Sequence, residues 1–226
     1  MPGRTGDAFT MFKLYHYPGT TSMVPHILLE ELGEPFELVL VDRTLQEHKA
    51  SEFTRLNPNG ELPVLVENDF VLYETAAICS YLCDRFPESE LAPQFGLRER
   101  ARFNQWLSWL SGNIQPVMML YFYPWRWVDI DNPVAASQIR LHAERKALVL
   151  LEVIEAELAR HDAPWLMGTQ YSAVDAYLFV ISRWTRRFAD KSARHFPYLS
   201  DFLHRMLQRP AVQRVLQTEQ IEPPYI

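Results

Sequence analysis

An α/β domain followed by an all-α domain is the architecture this chain predicts, and three observations carry it. Up to about residue 86, short apolar runs of strand length alternate with helix-like runs, the pattern of a parallel or mixed sheet covered by helices. Pro87 to Gly96 then has the composition of a linker, with two prolines and a glycine. Beyond it strand patterns vanish, and apolar residues recur at three–four spacing, as in Ala147, Leu150, Leu151, Ile154 and Leu158. With 226 residues the chain can bury two modest cores, which divides it into a domain at 11–88 and a second at 97–217.

In order, Phe12 to His16 reads as a strand, Val24 to Leu32 as a helix and Phe36 to Asp42 as a strand. A helix around Lys49 to Leu56 leads into Asn57-Pro58-Asn59-Gly60, a turn in which Gly60 most readily takes positive φ. Leu62 to Val66 is a short apolar strand with a proline near its start, where a missing N–H is tolerated. Pro63 thereby leaves the backbone of Leu62 free to pair with something outside the sheet, such as a peptide. Asn68-Asp69 turns the chain into Phe70-Val71-Leu72 as hairpin partner, and Thr75 to Phe86 reads as a helix. Leu97 to Leu120 and Asn132 to Arg160 are long helical runs. Two shorter helices start at Ser172 and Phe196, and Pro210 interrupts before a last short one.

Glu74 and Thr75 stand where that third helix opens. A carboxylate and a hydroxyl beside free helical N–H groups can hold an ammonium and a carboxylate together, the amino-acid end of a small peptide. The same residues also read as an ordinary hairpin and helix with an acid in the first turn, where the dipole favours it. Ser172 and Asp175, three apart before the apolar run Ala176 to Ile181, form a variant capping box with a structural role. Cys79 and Cys83 are four apart on one helix, which is neither a redox nor a zinc spacing, so both read as buried inert thiols and no metal is expected.

A net charge of −6 gives no basic stripe for nucleic acid. No apolar run approaches the roughly 18 residues of a membrane span. Met1 to Thr10 has no apolar core of a signal peptide and reads as a frayed tail, leaving the cytoplasm as the expected location.

The stretch Asn57-Pro58-Asn59-Gly60-Glu61-Leu62-Pro63-Val64-Leu65, followed by Tyr73-Glu74-Thr75-Ala76-Ala77-Ile78, resembles the glutathione-binding half of the glutathione transferase family. The resemblance runs from about Phe12 to about Pro210 and implies a thioredoxin-like first domain. It also implies a cis bond before Pro63, with Leu62 pairing the cysteinyl backbone of glutathione and Glu74 and Thr75 holding its γ-glutamyl group. Glu47 to Phe53 is similar to a theta-type pattern whose histidine contacts the glycyl carboxylate, placing His48 there, with Lys49 able to serve equally well. Gln115, before Pro116, stands where some beta-class members carry a ligand-contacting histidine.

Tyr15-His16-Tyr17-Pro18-Gly19-Thr20-Thr21-Ser22 through His26 resembles the bacterial beta class, but Thr21 replaces its cysteine and His16 its second tyrosine. That departure weighs against mixed-disulfide chemistry. A free thiol has a pKa of about 8.5, and a hydrogen bond to the anion at a helix N-terminus would lower it by about one to two units. Thr21 is the first candidate donor, Ser22 the second and Tyr17 the third, while Ser22 as a cap and Thr21 as a turn residue are the plain alternatives. His16 and His26 read as structural or exposed. Met118, Met119, Tyr121, Phe122, Tyr123, Trp125 and Trp127 form an aromatic and thioether cluster able to line an apolar pocket or to pack in a core or dimer contact.

The activity implied is conjugation of the glutathione thiol to small hydrophobic electrophiles by a homodimer. A glutathione-dependent isomerase or dehalogenase, and a non-catalytic glutathione-binding regulatory protein, remain as alternatives.

Overall fold

Four strands and nine α-helices build the described residues, 11–129 and 131–226 of a computed structural model; the reading of Met1 to Thr10 lies outside them. Strand β1 (Phe12–His16) buries Phe12, Leu14 and His16 and turns Lys13 outward, the period-two alternation of a half-covered strand. Helix α1 (Met23–Leu32) follows and ends on Gly33 at φ 68°. Strand β2 (Phe36–Leu40) pairs parallel to β1, and the short helix α2 (Ser51–Thr54) crosses to the hairpin of β3 (Val64–Glu67) and β4 (Phe70–Tyr73). The sheet order is β2-β1-β3-β4, with β3 antiparallel to both of its neighbours, so the sheet is mixed. Helix α3 (Thr75–Arg85) packs beside α1 on one face.

The second part is helical throughout. Helix α4 (Arg98–Trp109) runs through one wide π turn, Leu110–Ile114, into α5 (Gln115–Phe122). The single long helix expected over Leu97 to Leu120 is thus two helices joined by a wide turn around Gly112. Helix α6 (Pro133–His161) buries the predicted stripe Ala147, Leu150, Leu151, Ile154 and Leu158. Helices α8 (Pro197–Leu207) and α9 (Pro210–Thr218) close the bundle, and α1 lies against α9. No helix among the described residues is long and apolar enough to cross a membrane.

Other expected ends move by a few residues, for local reasons. The strand expected to reach Asp42 stops at Leu40, because the Asp42 carboxylate accepts from Thr44 N, Thr44 Oγ1 and Leu45 N and bends the chain. The helix expected from Lys49 to Leu56 splits into a 3₁₀ turn at Glu47–Lys49 and the four-residue α2.

All twelve residues of α7 (Ala173–Trp184) are buried, and α1, α4, α5 and α8 pack around it. Its first turn has no water to turn to. The Asp175 carboxylate takes that role, accepting from Ser172 N at 2.8 Å, Ser172 Oγ at 3.1 Å and Leu166 N at 2.9 Å. Burial, opposed by the Leu166 and Ser172 donors, leaves its carboxyl pushed up to about 7. Cys79 and Cys83 lie in the same core, and burial pushes both thiols up, Cys83 to about 12.

Asp175→Ala should strand two buried backbone donors, each worth about 1–3 kcal/mol when unsatisfied, for a loss of roughly 2–5 kcal/mol. Asp175→Asn keeps one acceptor oxygen and should cost less. Urea denaturation of both variants measures it, and equal losses would argue against the capping account.

Candidate functional site

Between β1 and α1 the chain makes a tight turn at Tyr17–Ser22, and four of its polar groups are tied down internally. Thr20 Oγ1 donates to Tyr17 O at 2.8 Å, and Ser22 Oγ donates to the same carbonyl at 3.1 Å while accepting from Tyr17 N. Ser22 makes no capping bond to α1 and is fully buried. The structure therefore turns the Ser22 hydroxyl inward to close the turn, away from the cavity described next, which corrects its place as second candidate donor.

Gly19, at φ 72°, is the point at which the turn is gripped from far along the chain. Its N–H donates to Glu219 Oε2 at 2.8 Å, and its carbonyl accepts from Trp184 Nε1 at 2.9 Å. Glu219 follows α9 directly, and its side chain is wholly buried; its other oxygen lies 2.8 Å from His26 Nδ1, on α1. Ile221 completes the contact, its Cδ1 lying 3.5 Å from where a Cβ on Gly19 would be. His26 is thus a structural residue. His16 is buried next to it with ring centroids 6.1 Å apart, and burial pushes it below the ordinary histidine value.

The turn forms one lip of a cavity of about 650 Å³ at the junction of the two parts. Thr21, Leu62, Pro63, Glu74, Thr75, His48, Tyr17 and Gln115 all line it, from five separate segments. The Leu62–Pro63 bond is cis. Thr21 Oγ1 donates to Leu62 O at 3.2 Å, joining the two segments across the cavity floor; among the described residues nothing accepts from the Thr21 N–H. Glu74 has φ 74° and ψ 116°, a sparsely populated conformation for a residue with a side chain, of the kind that marks functional sites. Thr75 is the first residue of α3 and is buried.

His48 is buried and lines the cavity, its Nδ1 has no partner among the described residues, and burial, with help from Arg43 and Lys49, holds it below the ordinary value. Lys49 does not line the cavity; its Nζ donates to Asn59 O and Gly60 O and secures the Asn-Pro-Asn-Gly turn. The expectation that it serves as well as His48 is corrected by that geometry. Gly60 is required there, since a Cβ would stand 2.6 Å from His48 O. Gln115 begins α5, and its Oε1 accepts from Tyr177 Oη, leaving its amide N–H₂ for the cavity.

The aromatic and thioether cluster divides. Met119, Phe122, Tyr123 and Trp127 line the cavity, Met118 and Tyr121 are core, and Trp125 is exposed outside it. Sequence reasoning passed over four arginines that also line it: Arg43, Arg126, Arg186 and Arg187. Arg43 Nη1 donates to Tyr123 Oη at 2.9 Å, and Arg126 stacks 4.4 Å from the same ring while reaching Glu61. The doublet Arg186-Arg187 so soon after an apolar run was the available signal.

Two family models match the chain: "Glutathione S-transferase, N-terminal domain" over residues 10–84 and "Glutathione S-transferase, C-terminal domain" over 115–210. Glutathione S-transferase GST-4.5 of Xanthomonas campestris is 33% identical over 207 residues, covering 92% of this chain and 98% of its own. A solved glutathione S-transferase of Xylella fastidiosa superposes with a TM-score of 0.84 at 33% identity over 93% of this chain and all of its own. A sphingomonad glutathione S-transferase complexed with glutathione gives 0.80 at 29% identity, again over 93% and 100%.

Glu219→Ala should leave Gly19 N–H and His26 Nδ1 without their buried partner, at about 1–3 kcal/mol for each donor stranded. Amide exchange of a peptide spanning residues 17–23 should quicken more than the global loss of stability explains. Unchanged exchange there in a folded variant would show that Glu219 does not hold the turn.

Proposed function

The chain belongs to the glutathione S-transferase family, and from that premise we propose that it binds glutathione and conjugates its thiol to small hydrophobic electrophiles. The observation that carries this reading is the convergence of Thr21, Leu62–Pro63 and Glu74–Thr75 on one cavity. In this reading residues 11–88 hold glutathione, residues 97–217 hold the electrophile, and the molecule acts as a homodimer.

Each end of the tripeptide has a matching group. Glu74 pairs the γ-glutamyl ammonium, and Thr75 with the free N–H groups opening α3 takes the adjacent carboxylate. The backbone of Leu62, next to a proline that offers no donor, pairs the cysteinyl unit. His48 donates an N–H to the glycyl carboxylate, with Arg43 and Arg126 adding positive charge near it. Gln115 offers its amide N–H₂ from the helical wall.

The sulfur then lies at the Thr21 lip. Thr21 brings two donors to it: the unpaired backbone N–H and the hydroxyl, which leaves Leu62 O to donate to the anion. The thiol loses its proton to solvent, and these donors stabilise the thiolate as a charge-assisted pair. The sulfur lone pair forms the S–C bond to the electrophile, and the leaving group departs with its electron pair. Met119, Phe122 and Trp184 supply the apolar wall against which the electrophile lies.

Calorimetric binding of glutathione, run beside conjugation of a generic aryl halide on the same preparation, tests the reading as a whole. Glutathione binding without conjugation would favour a binding protein, and no binding would remove the site. Glu74→Ala should weaken glutathione binding about ten- to a hundredfold through loss of one charge-assisted contact. Unchanged affinity in the folded variant would misplace the γ-glutamyl group.

Thr21→Val keeps the shape and removes the hydroxyl. Conjugation at neutral pH should fall about tenfold or more with little change in glutathione affinity, the pattern of a lost transition-state contact. An unaltered rate would assign the thiolate to the backbone N–H alone.

A further inference from the structure

Directly after α7 the chain turns through Thr185-Arg186-Arg187, and both arginines are among the residues that line the cavity on the helical part. Arg186 is half-buried and Arg187 exposed. Arg186 Nη1 donates to Arg183 O at 2.8 Å, which anchors the fork at the end of α7, and its other nitrogens have no hydrogen-bond partner among the described residues. Neither arginine takes part in any ion pair among the described residues.

The other two cavity arginines are already engaged. Arg126 pairs with Glu61, and Arg43 is bonded to Tyr123 Oη, both near the buried His48. Among the described residues that line the cavity, four arginines therefore face two glutamates, Glu61 and Glu74, inside a protein whose net charge is −6. Two adjacent like charges, one of them partly desolvated, repel each other, and burial followed by the Arg187 charge pushes Arg186 below the usual guanidinium range. An anion between them relieves both penalties and matches a forked guanidinium with two parallel hydrogen bonds. Phe122 and Trp184 line the same cavity, with ring centroids 5.9 Å apart and planes at 87°, and offer an apolar corner made of one ring face and one ring edge.

We propose that Arg186 and Arg187 form an anion subsite that selects, as the second substrate, an aromatic electrophile carrying a carboxylate. The proposal deepens the transferase reading and rests on it. The ring lies against Phe122 and Trp184, the carboxylate meets the arginine pair, and the electrophilic carbon is turned toward the sulfur at Thr21. With an aryl chloride, the thiolate forms the C–S bond, the C–Cl bond breaks, chloride leaves with the electron pair, and the carboxylate is unchanged.

The test compares 4-chloro-3-nitrobenzoate with its methyl ester, each enzymatic kcat/KM divided by that probe's uncatalysed rate with glutathione. The wild type should favour the carboxylate about tenfold, and added salt should shrink the ratio. In the Arg186→Gln/Arg187→Gln double variant the ratio should collapse towards one, and Arg187→Lys should retain part of it. A wild-type ratio at or below one overturns the proposal, as does a variant that slows both probes equally while raising the pKa of the bound thiol. That last pattern would make the arginines partners of the thiolate.

A direct binding arm separates this proposal from the transferase reading. Calorimetry of 3-nitrobenzoate with the glutathione-loaded protein should show binding that the double variant loses, even if neither chloride is turned over. Absence of that binding in a wild type that holds glutathione overturns the subsite while leaving the transferase reading intact.

Discussion

A helix with no exposed residue cannot lean on water, and the whole molecule is arranged around supplying α7 with partners from within. Asp175 does this at the start, where one carboxylate serves Ser172 and Leu166. Around the satisfied helix, α4, α5 and α8 of the second part and α1 of the first find a common surface. The two parts therefore share one continuous apolar core, which runs from Phe12 and Leu14 on β1 to Leu216 on α9. Fixing the ends of α7 fixes where α1 begins, and the turn that precedes α1 carries Thr21.

The site is correspondingly a product of both parts. The polar groups proposed to recognise glutathione come from the sheet side, at Leu62, Glu74 and Thr75, while the wall comes from α5 and the end of α7. Trp184 links the two roles, since its ring lines the cavity and its Nε1–H holds the Gly19 carbonyl. Backbone strain is part of the site too: Glu74 keeps its unfavourable φ where the surrounding hairpin and α3 dictate it.

Much of this was legible because it is local. The Asn-Pro-Asn-Gly turn, the hairpin around Asn68-Asp69, the Ser172–Asp175 cap and the stripe on α6 each depend on residues a few positions apart. What escaped reading depends on side-chain direction or on long separations. Nothing in the string Thr20-Thr21-Ser22 says that the last hydroxyl folds back on Tyr17 while the middle one reaches Leu62. Lys49 and His48 are neighbours in sequence, yet only one faces the cavity. The bond from Gly19 to Glu219 spans 200 positions, and no pattern of spacing could announce it. Asp42 ended its strand early through bonds to Thr44 and Leu45, a competition that strand propensity does not weigh.

The grip on Gly19 also bears on the order in which the molecule is completed. During synthesis the strands, the hairpin and α3 leave the ribosome long before Trp184 and Glu219 exist. The first hundred residues can pair their strands, but the loop bearing Thr21 gains both its anchors only when the last helices dock. An intermediate that has folded its sheet thus carries an unfinished loop, and hybrid proteins that join this first half to a relative's second half inherit the same gap. Such a chimera would need an acid and an indole donor at the matching places, because the residues proposed to recognise the peptide and those that anchor the Thr21 loop lie far apart along the chain.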